Sequence, residues 1–221
     1  MYAMSTLKNV RPSNTDRKAS SQYHHGDLRS ALVNAGMQLL QAGDSTDFSL
    51  REAARAVGVT VNATYRHFAN KQDLITAISA EGFRQFSAAL MNGARRGTTP
   101  QERLLGSGHA YVNFARQHPA LFRLMFGRVS VDSVSKTGTS VISNKAAEEL
   151  TAASANAFNA LKAGVAALRN ENIASESVAL ASIKAWSLAH GLCHLILDGQ
   201  LDEHAAGFDQ MIDDVLRSYA E

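Results

Sequence analysis

The 221-residue chain is 45% apolar, carries a formal net charge of +2 and contains one cysteine, Cys193. That apolar share is enough for a globular core, and the length suits one large domain or two small ones. A single thiol excludes an internal disulfide framework and suits a reducing compartment. No uninterrupted apolar run approaches the roughly 20 residues that cross a bilayer, so no membrane partner is expected.

In chain order, residues 1–22 are polar, lack the apolar segment of a secretory signal and carry Lys8, Arg11, Arg17 and Lys18. They read as a disordered basic arm of a cytoplasmic protein; the alternative is an arm reaching into a DNA minor groove. Leu28, Ala31, Leu32, Ala35, Leu39 and Leu40 then recur at helical spacing, with Gly43 as a stop. Ser49 followed by Glu52 is a capping box that starts a second helix, slim and apolar at Ala53, Ala54 and Val57. Gly58 can take the left-handed conformation that ends it, and Thr60 caps a third helix, expected over Val61–Phe68. Two short helices around a glycine turn are the pattern of a helix-turn-helix, whose second helix enters the DNA major groove.

Only helices follow. Asn70 with Asp73 caps a long one carrying Leu74, Ile78, Phe83, Phe86 and Leu90, ending near Gly93. Thr99-Pro100-Gln101-Glu102 combines a Thr cap, Pro at the first position and a closing Glu. His118-Pro119 ends that helix and begins a short one that stops at Gly127, and residues 129–140 read as a loop. Leu150, Phe158, Leu161, Val165 and Leu168 mark a further helix, and Ser175 caps one running to about Leu197 or Gln200. Phe208, Met211, Ile212, Val215, Leu216 and Tyr219 form the apolar stripe of the last.

Charge follows this division weakly. Residues 1–75 hold nine Lys/Arg against six Asp/Glu, and residues 76–221 thirteen against fourteen, so the positive excess sits where phosphates would be met. In the expected reader, Ser49 and Arg51 lie at a helix N-terminus that suits a phosphate. Val61 and Asn62, with Thr60 and Ala63, occupy the leading turn that reaches base edges. Asn62 can bond adenine bidentately, and Val61 can touch a thymine methyl.

The order of these elements, with Tyr23-His-His-Gly-Asp-Leu-Arg29 in front and Thr64-Tyr-Arg-His-Phe-Ala-Asn-Lys71 behind, closely resembles the tetracycline-repressor (TetR/AcrR) family of regulators. Pro119-Ala-Leu-Phe-Arg-Leu-Met-Phe126 is similar to that family's short sixth helix, and Trp186-Ser-Leu-Ala-His-Gly191 resembles the Trp-His-Gly signature of one C-terminal subgroup. The resemblance implies an all-α fold, with a helix-turn-helix domain at 23–72 and a six-helix bundle at 73–221 for ligand binding and dimerisation. It implies phosphate contacts from Thr60, Thr64, Tyr65, His67 and Lys71, while Phe68 packs the domain. It also implies a homodimer on a palindromic double-stranded DNA operator, paired through helices 175–200 and 203–220. Two readers on two half-sites would supply the affinity that one short helix lacks. Ile212→Glu or Leu216→Glu is expected to give monomers or insoluble protein.

The resemblance further implies a small-molecule effector in the C-terminal domain that releases DNA. Trp186, His190, Cys193 and Leu197 share one helical stripe, and Phe83, Phe86, Tyr111, Phe114, Phe122 and Met125 could face it; these residues line either a pocket or a filled core. An apolar or aromatic effector fits that lining. His190 and His194 stand four apart beside Cys193, but Gly191 occupies the place of a metalloprotease glutamate, and an isolated pair reads as packing. No metal and no cofactor are expected, and no nucleophile elbow, phosphate loop or carboxylate pair supports catalysis. The reading is a ligand-responsive transcriptional regulator, most simply a repressor. The alternative is a helical small-molecule-binding protein whose helix-turn-helix is not used on DNA.

Overall fold

The computed structural model describes residues 25–43, 45–127 and 143–219, and among them the regular structure is all helix. The expected arm at 1–22, the residues Tyr23 and His24, and the loop at 129–140 lie outside the described residues. Three helices form the N-terminal unit: α1 (His25–Gly43), α2 (Leu50–Val57) and α3 (Val61–Thr64). Six follow: α4 (Lys71–Ala94), α5 (Pro100–Gln117), α6 (Pro119–Phe126), α7 (Asn144–Arg169), α8 (Glu176–Leu197) and α9 (Phe208–Arg217).

The start signals act as their chemistry requires. The Ser49 hydroxyl accepts from the Glu52 N–H, and the Glu52 carboxylate accepts from the Ser49 N–H at 2.7 Å, which closes the box. Thr99 and Glu102 do the same for α5. Gly58 ends α2 at φ 76°, a conformation that a side chain would strain.

One element is shorter than the sequence predicts, and another has a start for which the sequence set no bound. α3 is one turn, Val61–Thr64, not eight residues. The chain tightens after it: the His67 and Phe68 N–H groups both bond the Thr64 carbonyl at 2.9 Å. α7 begins at Asn144, well before the first large apolar residue of its stripe. Its early buried positions are alanines, Ala146, Ala153 and Ala157, which let α7 lie close along α4 without a visible hydrophobic period.

α4 is the spine of the molecule, packed against α1, α5, α6 and α7. One cluster of buried residues runs from Leu32 and Phe48 of the N-terminal unit, through Leu74, Ile78 and Phe86 of α4, to Ile212 and Leu216 of α9. The N-terminal unit therefore shares its core with the bundle. Polar ties add to this. Arg29 of α1 pairs with Glu149 of α7 at 2.6 Å, and Gln41 meets His118 at 3.0 Å. Buried Asp73 accepts from the Ala69 N–H at 3.2 Å and the Ser143 N–H at 2.7 Å, joining the starts of α4 and α7.

α8 has the length and mean hydropathy (1.3) of a bilayer span, although no uninterrupted apolar run of that length exists in the sequence. Glu176 and Lys184 interrupt it, and Val178, Ala189, Leu192 and Ile196 are buried in the bundle. Its outer face is also apolar: Leu180, Ile183 and Leu195 are 54%, 50% and 48% exposed.

Candidate nucleic-acid interface and effector cavity

The reader presents its leading turn outward. Thr60 stands at the N-cap of α3 with no capping bond from its hydroxyl, and it is exposed, as is Asn62. Tyr65 is 54% exposed, far more than a tyrosine that packs a domain, whereas Phe68 is buried at 2% with Arg29 stacked 5.3 Å from its ring centre. Arg51 is exposed, and so are Arg66, the basic neighbour of Tyr65, and Arg55, a further cation beside the reader that was not singled out from the sequence. Val61 and His67 are half-buried. Lys71, also half-buried, sits over the Phe48 ring at 5.8 Å, with its ammonium at the start of α4.

Two expected phosphate contacts have other work. Thr64 is fully buried, and its hydroxyl donates to the Val61 carbonyl at 2.7 Å, so it closes α3 and cannot meet a phosphate without unfolding the turn. The Ser49 hydroxyl both caps Glu52 and donates to its carboxylate at 2.8 Å. Those bonds, the Ser49 side chain first, hold the Glu52 carboxyl below its ordinary range. The N-terminus of α2 thus already carries an anion of its own.

The bundle contains a cavity of about 200 Å³ between α4, α5, α7, α8 and α9. Of the residues expected there, Phe83, Phe86, Tyr111 and Trp186 line it. Phe114, Phe122, Met125 and His190 do not. Phe114 packs on Phe86 and His118, with ring centres 5.2 and 4.9 Å apart, and Met125 fills the space beside Gly82. Phe122 is fully buried among Tyr111, Phe126 and His190. These four form the layer behind the wall, and a helical stripe cannot say which ring of an aromatic cluster faces the void. The lining also includes Phe126, Phe158, Leu161, Leu216 and Tyr219, which the sequence reading placed in helices but not in a pocket.

Two polar groups at the wall, on Trp186 and Tyr111, are paired with each other and with His190. The Trp186 indole N–H donates to the Tyr111 hydroxyl at 3.1 Å, and that hydroxyl bonds His190 Nδ1 at 2.9 Å. Burial pushes the Tyr111 phenol far up and, together with His194, holds the His190 imidazole below its ordinary value, so both are neutral near pH 7. The neutral ring accepts at Nδ1 from the tyrosine. Burial raises the Cys193 thiol to about 12, which leaves it unreactive.

Ile212 and Leu216, expected at the dimer contact, are already covered within one chain. They are 4% and 8% exposed within one chain, where Leu216 packs on Gly108 and lines the cavity. Of the exposed large apolar side chains, Leu180, Ile183, Trp186 and Leu195 lie on α8.

Comparison with known proteins agrees with this architecture. The profile described as "Tetracyclin repressor-like, C-terminal domain" matches residues 104–218, and "Bacterial regulatory proteins, tetR family" matches residues 32–78. No curated protein matches the sequence. Among solved structures, a protein with unknown function from Rhodococcus sp. RHA1 is 25% identical at a TM-score of 0.68, covering 90% of this chain and 94% of that one. A TetR family transcription regulator from Marinobacter aquaeolei VT8 is 17% identical at a TM-score of 0.57, over 87% of this chain and 94% of that one. A bacterial regulatory protein in the tetR family from Rhodococcus RHA1 is 15% identical at 0.60, over 87% and 95%.

Proposed function

This chain belongs to the tetR family of bacterial regulatory proteins, and from that membership we propose that it is a cytoplasmic, homodimeric repressor released from its operator by a small apolar or aromatic effector. It is a transcription regulator of that family; the dimeric state, the operator and the release are our reading. The observation that carries it is α4. The same helix that starts beneath the reader at Lys71 also walls the cavity at Phe83 and Phe86. An effector that fits one tilt of α4 would shift the population toward readers wrongly spaced for two half-sites.

Asn62 is proposed as the base reader, with Arg51, Thr60, Tyr65 and Lys71 on phosphates. Exposure of Thr60, Asn62 and Tyr65 supports these roles. The second copy covers the outer face of α8, since a helix apolar on both sides is buried on both. A gel shift with DNA flanking its own and neighbouring genes tests the reading. Retardation that is lost on adding a cavity ligand supports it; no retardation of any such fragment would favour a ligand-binding protein with an idle helix-turn-helix.

A further inference from the structure

We propose that the effector is an uncharged aromatic molecule of one to two rings; this rests on the cavity being the effector site. Size sets the first limit. A dry apolar cavity of about 150 Å³ accommodates one benzene, so the roughly 200 Å³ here has room for a substituted ring or a small fused pair. Charge sets the second. No Asp, Glu, Lys or Arg lines the cavity. The nearest titratable side chain bonded to the wall, His190, is held neutral by burial and engaged by Tyr111. A carboxylate, a phosphate or an ammonium would be desolvated with no partner of opposite sign.

Hydrogen bonding sets the third limit. The Trp186 N–H is given to Tyr111, the Tyr219 hydroxyl donates to the Ala181 carbonyl at 2.8 Å, and the Ser154 hydroxyl donates to the Thr151 carbonyl at 3.1 Å. A ligand acceptor gains one of these three donors only by taking it from its present partner; the Ser107 hydroxyl is a further side-chain donor that lines the cavity. The rest of the wall is apolar, with six leucines and three alanines beside the rings of Phe83, Phe86, Tyr111, Phe126, Phe158 and Trp186. Such rings favour edge-to-face and offset contact with another ring.

The test is a titration of the full-length protein, followed by Trp186 emission, with three probes of similar size: tert-butylbenzene, its cationic isostere phenyltrimethylammonium, and 4-methylbenzoate. The neutral probe is expected to bind about 100-fold or more tightly than either ion. Ala185→Phe and, independently, Leu161→Phe narrow the cavity and should abolish its binding. Equal affinity for either ion, no binding of the neutral probe, or undiminished binding to both filled variants would overturn the assignment. A parallel gel shift separates this from the release reading. A neutral probe that binds without freeing DNA leaves the ligand class standing and removes release. Release by an anionic or cationic compound that competes with the neutral probe removes the ligand class and leaves release standing.

Discussion

At the residue scale the reader divides into groups exposed at its surface, where DNA would meet them, and groups that hold the reader together. Thr64 shows why the division was only partly legible. It sits in the family-like run Thr64–Lys71, but a threonine hydroxyl one turn into a helix can equally bond the carbonyl behind it, and here it does. Asn62 and Tyr65 have no such alternative in the fold and stand exposed. Asn62→Ala is expected to weaken operator binding by about 1–3 kcal/mol and to relax preference at one base pair, read by competition among operator variants. Tyr65→Phe should weaken binding on all sequences alike; a change of sequence preference instead would assign Tyr65 to a base. A second residue-scale prediction concerns Glu102. Hydrogen bonds from Thr98 and Thr99 hold its carboxyl at about 2, against 4.5 unfolded. The cap it closes on α5 is therefore complete above 4.5 and fades as pH falls toward about 2. Carboxyl-carbon NMR should place its midpoint near that lower value, and in Thr98→Ala the midpoint should rise.

At the element scale, helix starts were legible because capping residues are local. Helix partners were not, because packing is set by the whole fold. The α7 seam of alanines carries no large-residue period, so where α7 begins was not legible in the sequence. The apolar stripe of α9 says only that it is buried, and Ile212 and Leu216 are covered within one chain. Ile212→Glu should therefore unfold the bundle. Leu180→Lys combined with Ile183→Lys should leave helix content intact, yield monomers in sedimentation and abolish operator binding. A dimer that survived the double change would place the interface elsewhere. α4 and α5 cross so closely that a Cβ on Gly93 would lie 2.3 Å from the Gly106 carbonyl oxygen. Gly93→Ala should cost about 1–3 kcal/mol in denaturant unfolding, since backbone at that contact has nowhere to move.

At the scale of the whole molecule, the shared core and the polar ties to α7 make the reader an outgrowth of the bundle rather than a bead on a linker. The sequence suggested the separate parts through their caps and resemblance. It could not show the Asp73 bridge, because nothing local links residue 73 to the Ser143 N–H. Asp73→Ala leaves two backbone donors without their acceptor and should destabilise the protein by about 1–3 kcal/mol, with operator affinity falling too. The central claim, two readers of one dimer on a symmetric site, is tested most directly by hydroxyl-radical footprinting of the bound DNA. A symmetric dimer should give two protected patches related by a twofold axis, with centres one helical turn or a whole multiple of it apart, about 34–36 Å per turn, and both should be lost together in the α8 double variant. A single unsymmetrical patch, or protection that the monomeric variant retains, would contradict it.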